Sequence, residues 1–472
     1  MRVLTVICSA ALCVACASTD RSSEAIEGFD APKTWRANTA AGGLASNWLD
    51  EFSDARLNAI VAEALNNNQN LAATAERLEQ ARSRATATRS PLFPSLDAST
   101  SATQNISNSR SRQGRDSTQT YGLALQSSWE IDVWGRLTDQ ARSGYRGYTA
   151  AQADYEAARL SLAGSVTQNW FALVEARQQT SLAERDVLNR SSSLAVVERR
   201  YERGVSESLD VRLSRSALAG SEATLALRRQ QEGEAARRLE ILLGRYPEGA
   251  LDAGAQLPEI QNLPGAGAPG DILARRPDLV AAEDRLVAAG LDARAARKAM
   301  LPRLTLRSTL STIDGDFSDA FDLDGLAGEL INGLVAQPLF GGARLVAEAN
   351  RAEAAAREAA YRYADAVLAA YREAEDALAA EITLAAQEDA QNLSFSEARE
   401  AEILTQRQYA NGLATIFELL DAQGRRITAE SQYLAVRRER LSNRVRLYQA
   451  LGGPFETRTE IAEATNVKGS SS

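Results

Sequence analysis

The chain has 472 residues, enough for two or three domains, and is 44% hydrophobic, 24% charged and only 6% aromatic, a balance that suits close-packed, alanine-rich helices better than one large core. There is no histidine, which excludes Ser-His-Asp triads, Cys-His dyads and every His-ligated metal site. A formal charge of −9 and a pI near 5.1 argue against nucleic acid as a partner, and no apolar run after the N-terminus is long enough for a transmembrane helix.

Residues 1–15 read as a secretory signal: Arg2 supplies the positive start, and Val3 to Ala15 is apolar but too short to span a bilayer. Cys8, Cys13 and Cys16 are the three cysteines, so nothing downstream is stapled by a disulfide. The run from Leu12 to Cys16 resembles a bacterial lipobox, which implies acylation of Cys16. Cys13 stands where that pattern usually has Leu, and ordinary cleavage near Ala15 or Ala17 is the alternative. Ala17, rather than Asp, follows Cys16, which by lipoprotein sorting rules points to the outer membrane. A multiply acylated cysteine anchors stably, whereas one chain is marginal. Residues 16–47 form a polar N-terminal segment.

A first repeat is expected over 48–248 and a second over 271–455, joined by a Pro/Gly linker at 249–270 and followed by a disordered tail at 456–472. In the first, a helical stretch from Asp54 to about Ser90 ends at Pro94. Two β-like stretches follow, Ser95–Ile106 and Thr118–Ile131, around a polar loop. A long helical run comes next, interrupted near Gly204; its first part, from Gly144, predicts a helix of about 90 Å. The second repeat has the same order: helix from Pro277 to about Met300, Pro302, strands Arg303–Ile313 and Leu330–Leu339, then helices interrupted near Gly412. Sliding the chain on itself by 208 positions aligns Pro94 with Pro302, Tyr201 with Tyr409, Gly204 with Gly412 and Leu243-Gly244 with Leu451-Gly452. Matches of such rare residues at one offset mark an internal duplication.

The fold expected is mainly α with a β-barrel part. Strands of about 9–11 residues are long enough to cross a bilayer when tilted. Four strands cannot close a barrel, and a bilayer does not tolerate open sheet edges. If these hairpins span a membrane, several chains must share one barrel.

Four segments together resemble the TolC-like outer-membrane channels, in particular the lipoprotein branch of OprM/NodT type. They are Leu273-Ala-Arg-Arg-Pro-Asp-Leu-Val-Ala-Ala-Glu283, Pro338-Leu-Phe-Gly-Gly-Ala-Arg344, Trp129-Glu-Ile-Asp-Val-Trp-Gly-Arg136 and Tyr409-Ala-Asn-Gly-Leu-Ala-Thr-Ile-Phe-Glu-Leu-Leu-Asp421. The resemblance extends from about Trp48 to Gly453. It implies a homotrimer with a twelve-stranded barrel in the outer-membrane lipid and a helical tunnel in the periplasm. It implies a periplasmic adaptor and an inner-membrane RND pump as partners, small-molecule export, no reaction and no cofactor.

The same resemblance puts a periplasmic gate at the helix tips: Phe417 as a hydrophobic plug, Glu418 beside it and Asp421 as an acidic ring. Three carboxylates around one axis repel each other and attract cations. Phe417 and Asp421 share a helix face, and the bland alternative makes them coiled-coil core and solvated charge. Tyr409 is implied to restrain the closed tip by bonding Asp210; the arginine that often adds a second restraint is Ala414 here. Gly204 and Gly412 suit positive-φ turns at the tips. No metal site is expected: Asp314, Asp316, Asp319, Asp322 and Asp324 lack EF-hand spacing and read as a solvated loop. Trp129 and Trp134 fit either an interfacial belt or packing where sheet meets helix. Type I protein secretion and a structural periplasmic coiled coil are the alternative functions. With no His, no catalytic Cys downstream and no phosphate loop, an enzyme is the weakest class.

Overall fold

The computed structural model describes residues 32–37, 47–108, 115–254, 256–260, 265–322, 327–337 and 342–454. The signal, Cys16, Asp324, Pro338–Gly341 and the tail lie outside the described residues.

The first repeat starts with a 3-10 turn, Trp48–Phe52, capped by Asn47. Helix α1 (Ala55–Asn67) starts where the Asp54 carboxylate accepts the amides of Arg56 and Leu57, and it buries Leu57, Val61 and Ala64 along one stripe. Asn68 separates it from α2 (Gln69–Arg89), accepting the Asn70 and Leu71 amides and donating to the Leu242 carbonyl at 2.9 Å. Strands β1 (Ser95–Asn108) and β2 (Arg115–Ile131) follow, then α3 (Arg136–Glu202) and α4 (Ser208–Leu242). The second repeat has α5 (Ile272–Arg275), α6 (Pro277–Lys298), β3 (Arg303–Asp314), β4 (Ala327–Ala336), α7 (Gly342–Ala410) and α8 (Ile416–Ala450). The offset of 208 reappears in the elements: α2, β1 and α4 begin 208 residues before α6, β3 and α8.

The recurring motifs have local physical reasons. In the Arg-Arg-Pro-Asp run, Pro277 opens α6, and the Arg276 guanidinium clamps Asp278 at 2.7 Å and Glu373 at 2.8 Å. After β2, the Asp132 carboxylate takes the amides of Leu137 and Thr138 and so starts α3, while Arg136 pairs with Glu130 at 2.7 Å.

Two compact units result, each drawing on both repeats. One comprises residues 76–153 and 281–366 and holds the sheet; the other comprises residues 30–75, 154–280 and 367–472. In the second unit, Trp48, Leu57, Trp170, Phe171, Leu239 and Tyr448 anchor the main hydrophobic core. Its wall carries buried charge as well. Arg444 is fully buried, bonds Glu381 at 2.6 Å and also meets Glu51, whose carboxylate takes the Tyr448 hydroxyl.

Among the described residues, no helix is long and apolar enough to cross a membrane.

Candidate functional site: a two-faced sheet and paired helix tips

The four strands pair in chain order, all antiparallel, and β2 with β3 joins the repeats. Strands β1 and β2 have 14 and 17 residues, longer than the expected 9–11. Beyond the expected Ser95–Ile106 and Thr118–Ile131, the strands take in the polar Ser107, Asn108, Arg115, Asp116 and Ser117, which the alternation pattern assigns to the loop. Register defines the faces. One cross-strand row is Ala98, Leu125 and Leu310; another is Ile131, Leu304 and Val335; a third pairs Trp129 with Leu306. The rows between them are Asp97, Gln126 and Thr309, and Ser128, Arg307 and Asn332. One face is thus largely apolar and the other largely polar, with Ile313 and Leu334 as apolar exceptions on the polar side. Leu96, Ile106 and Leu125 on the apolar face are exposed in the chain. Trp129 donates to the Leu92 carbonyl and Trp134 to the Pro302 carbonyl, at 3.0 and 2.8 Å, so both indoles are tied to the sheet–helix junction while staying partly exposed.

The helix tips repeat one design. Gly204 at φ +70° and Gly412 at φ +74° end α3 and α7. The Val205 amide donates to the Arg200 carbonyl and the Leu413 amide to the Gln408 carbonyl, both at 2.8 Å, closing Schellman turns. The next helices then open alike: Thr415 and Glu418 form a full capping box, and at the first tip the Asp210 carboxylate reaches back to the Glu207 amide. Asp210 and Glu418 therefore serve their own helix starts: the Asp210 carboxylate accepts the Glu207 amide at 3.2 Å, and Glu418 accepts the Thr415 amide at 2.6 Å. Those bonds to Thr415 hold the Glu418 carboxyl below the usual carboxylate range.

Phe417 is 70% exposed, and the tip core is instead built from Val197, Val211, Tyr409, Ile416 and Leu419. Asp421 is exposed and pairs with Arg425 at 2.7 Å along its helix. Tyr409 is buried, its hydroxyl without a hydrogen bond of good geometry, and the implied Tyr409–Asp210 bond is not made within the chain. Burial pushes the phenol up, against the nearby Arg200 cation and Ser206 hydroxyl, and Asp210 adds to the rise. The contact that holds Tyr409 comes from a residue the sequence does not single out. Arg200 of α3 lies over its ring, 4.9 Å from the centroid, and donates to the Tyr409 carbonyl at 2.9 Å. One arginine among Arg199, Arg200 and Arg203 at a helix end carries no sequence signal of such a role. Beside the tip, a groove of about 320 Å³ is lined by Thr405, Gln408, Ala414, Glu418, Asp421 and Arg425 among others.

Of the five loop aspartates, Asp314, Asp316 and Asp319 bring their carboxylates within 4.8 Å of one another, all exposed. Asp314 accepts the Asp316 amide and Asp319 the Ser318 hydroxyl, so local loop bonds engage these two carboxylates.

Comparison with known proteins adds an independent line. The family model described as outer membrane efflux protein matches twice, over residues 60–245 and 268–453, again 208 residues apart. The pyoverdine export outer membrane protein OpmQ of Pseudomonas putida is 32% identical over 445 residues, spanning 91% of this chain and 93% of that protein. The toluene efflux pump outer membrane protein TtgF, from another strain of Pseudomonas putida, is 30% identical over 418 residues, 87% of this chain and 86% of its own length. A solved structure of the outer-membrane channel OprN superposes with a TM-score of 0.81 at 26% identity, covering 90% of this chain and 98% of that one.

Proposed function

The chain belongs to the outer membrane efflux protein family, a family of channels, and from that premise we propose that it is the outer-membrane duct of a tripartite RND-type efflux system. Three copies close a twelve-stranded barrel. The long helices form a periplasmic tunnel that meets an adaptor and an inner-membrane pump. Transport is passive in this component, and Cys16 carries the lipid anchor. In this reading the sequence divides as anticipated, into a signal (1–15), an anchored segment (16–47), two repeats and their linker, and a tail.

One observation carries the reading: a four-stranded sheet, apolar on one face and Ser/Thr-rich on the other, whose outer strands β1 and β4 have no second neighbour in the sheet. Alternation of that kind is what a transmembrane barrel needs, with lipid on one side and water on the other. In a soluble scaffold the apolar face of such a sheet packs on a core, whereas Leu96, Ile106 and Leu125 here are exposed. Cargo is set by the pump: two relatives are named for chemically unlike cargoes, a pyoverdine and toluene. Small-molecule efflux is therefore favoured over protein secretion.

The gate is placed at the second-repeat tip. Phe417 is the plug because it is exposed while its neighbours Ile416 and Leu419 are buried. Asp421, one helical turn on, supplies the acidic ring, and the tip turns at Gly204 and Gly412 set the geometry. Glu418, Asp210 and Tyr409 act through the helix starts and the tip core. The double substitution Phe417→Ala with Asp421→Ala is expected to raise single-channel conductance of the trimer in a planar bilayer. Unchanged conductance removes both from the gate. In-cell crosslinking and capture separates the functions: an RND pump with its adaptor supports efflux, and an ATP-driven exporter moves the channel to protein secretion.

A further inference from the structure

Because the repeats are copies, each position in one is a control for the other. Near the tips they differ in the chemistry of one matched pair of positions. Leu194 on α3 and Leu218 on α4 stand 208 residues before Glu402 on α7 and Arg426 on α8. Two half-buried leucines in one copy stand where the other has an ion pair, with Glu402 only 9% and Arg426 only 7% exposed. Arg426 meets the Glu402 carboxylate through Nε and donates from Nη1 to Glu430 at 2.7 Å. Glu430 accepts in turn from Arg185 of α3 at 2.7 Å. The relay joins α7, α8 and α3. Glu402 lies seven residues before Tyr409, about 10 Å along the helix.

The relay is not tightly satisfied. Nε and Nη2 of Arg426 are buried without an acceptor in good hydrogen-bond geometry. Burial outweighs the attraction of Arg426 and pushes the Glu402 carboxyl above its usual range. A buried ion pair commonly holds no better than a packed apolar pair, and removing one partner strands the other. For a contact that must only hold, a packed apolar pair suffices. A contact that must also part is served by ions, since each regains water when the helices separate, whereas parted leucines expose apolar surface.

We propose that the ion cluster built on Glu402 and Arg426, continued through Glu430 to Arg185 on α3, is a releasable seat, which docks the second-repeat helix pair on α3 near the tip and lowers the cost of parting them when the tip opens. The idea rests on the gate placed above. Glu402 is faced by Arg426 from α8 and by Asp186 and Arg190 from α3, with Glu430 and Arg185 further along the relay. Its carboxyl holds a proton more tightly when seated than when solvated, so acid favours the seated arrangement and rising pH favours release.

The test uses the full-length trimer in planar bilayers between about pH 5 and pH 8, spanning titration from the carboxylate range upward. Glu402→Leu with Arg426→Leu restores the pair found in the first repeat. It is expected to melt no lower than wild type, to open about tenfold less often at neutral pH, a difference of about 1.4 kcal/mol, and to lose the pH dependence. Arg426→Leu alone should melt lower. Opening and pH response identical to wild type in the double variant overturn the proposal. Amide hydrogen exchange over residues 416–425 reads the seat without the gate. In wild type, protection corrected for intrinsic exchange should rise toward acid, and pH-independent protection likewise overturns the seat. Should Phe417→Ala with Asp421→Ala leave conductance unchanged, the gate reading fails, and the exchange measurement still decides the seat.

Discussion

Arg444 is the residue whose environment departs furthest from what its type suggests. A guanidinium with no exposure meets two carboxylates, Glu51 and Glu381, the latter itself only 1% exposed. Its counterparts in the first repeat are apolar: Leu173 stands for Glu381 and Ala236 for Arg444, both in the hydrophobic core. The charged version fixes one thing the apolar version does not, the docking of the Trp48–Phe52 turn through Glu51. Arg444→Leu is therefore expected to destabilise the chain by ~3–5 kcal/mol, because two carboxylates lose their cation. Adding Glu381→Leu should recover most of that loss in a thermal melt. A double variant as unstable as the single would mean that Glu51 alone sets the cost. None of this was legible in the sequence. Arginine and glutamate at helical spacing read as a solvated face, and only packing tells a buried pair from an exposed one.

Among elements, the helix ends show where a repeated sequence carries repeated geometry. Gly452 follows α8 at φ +65°, and a Cβ there would lie 2.8 Å from the Arg275 carbonyl carbon and 2.9 Å from the Arg276 nitrogen. Gly244 meets Asn67 in the same way, 208 residues earlier. Each glycine lets the end of one helix touch the break between two others. Gly412 has the same sign of φ, but its nearest neighbour is the tip of the Arg200 side chain at 3.9 Å. Gly412→Ala should cost about 1–2 kcal/mol for the left-handed backbone alone. Gly452→Ala should cost clearly more, because backbone cannot step aside, and the two melting temperatures compare them directly. Equal losses would mean that the close approach carries no penalty. The glycines were visible as a matched pair in the sequence. The helix break at Asn68 was not, because one repeat makes it with a capping asparagine and the other with Arg276 before Pro277. The duplication was legible through rare residues; devices that swap chemistry between copies were hidden from it.

At the scale of the whole molecule, adjacent residues of β2 should behave as if they belonged to different solvents. Leu125 lies in the apolar row with Ala98 and Leu310, and Gln126 lies in the polar row with Asp97 and Thr309. In the proposed trimeric barrel the first row meets lipid and the second meets water. An arginine at Leu125, near the middle of the strand, should cost ~2–4 kcal/mol per chain through the desolvated charge. Three copies multiply the effect in one assembly, so heat-modifiable trimers in the outer membrane should fall sharply. Gln126→Arg places the same charge one residue on, facing the lumen. It should leave trimer yield near wild type and shift the channel's ion selectivity toward anions. The helical tunnel is untouched by either change, which isolates the sheet as the cause. The opposite outcome, a tolerated Leu125→Arg and a lost Gln126→Arg trimer, would turn the sheet inside out and with it the argument that β1 and β4 are closed by neighbouring copies in a bilayer.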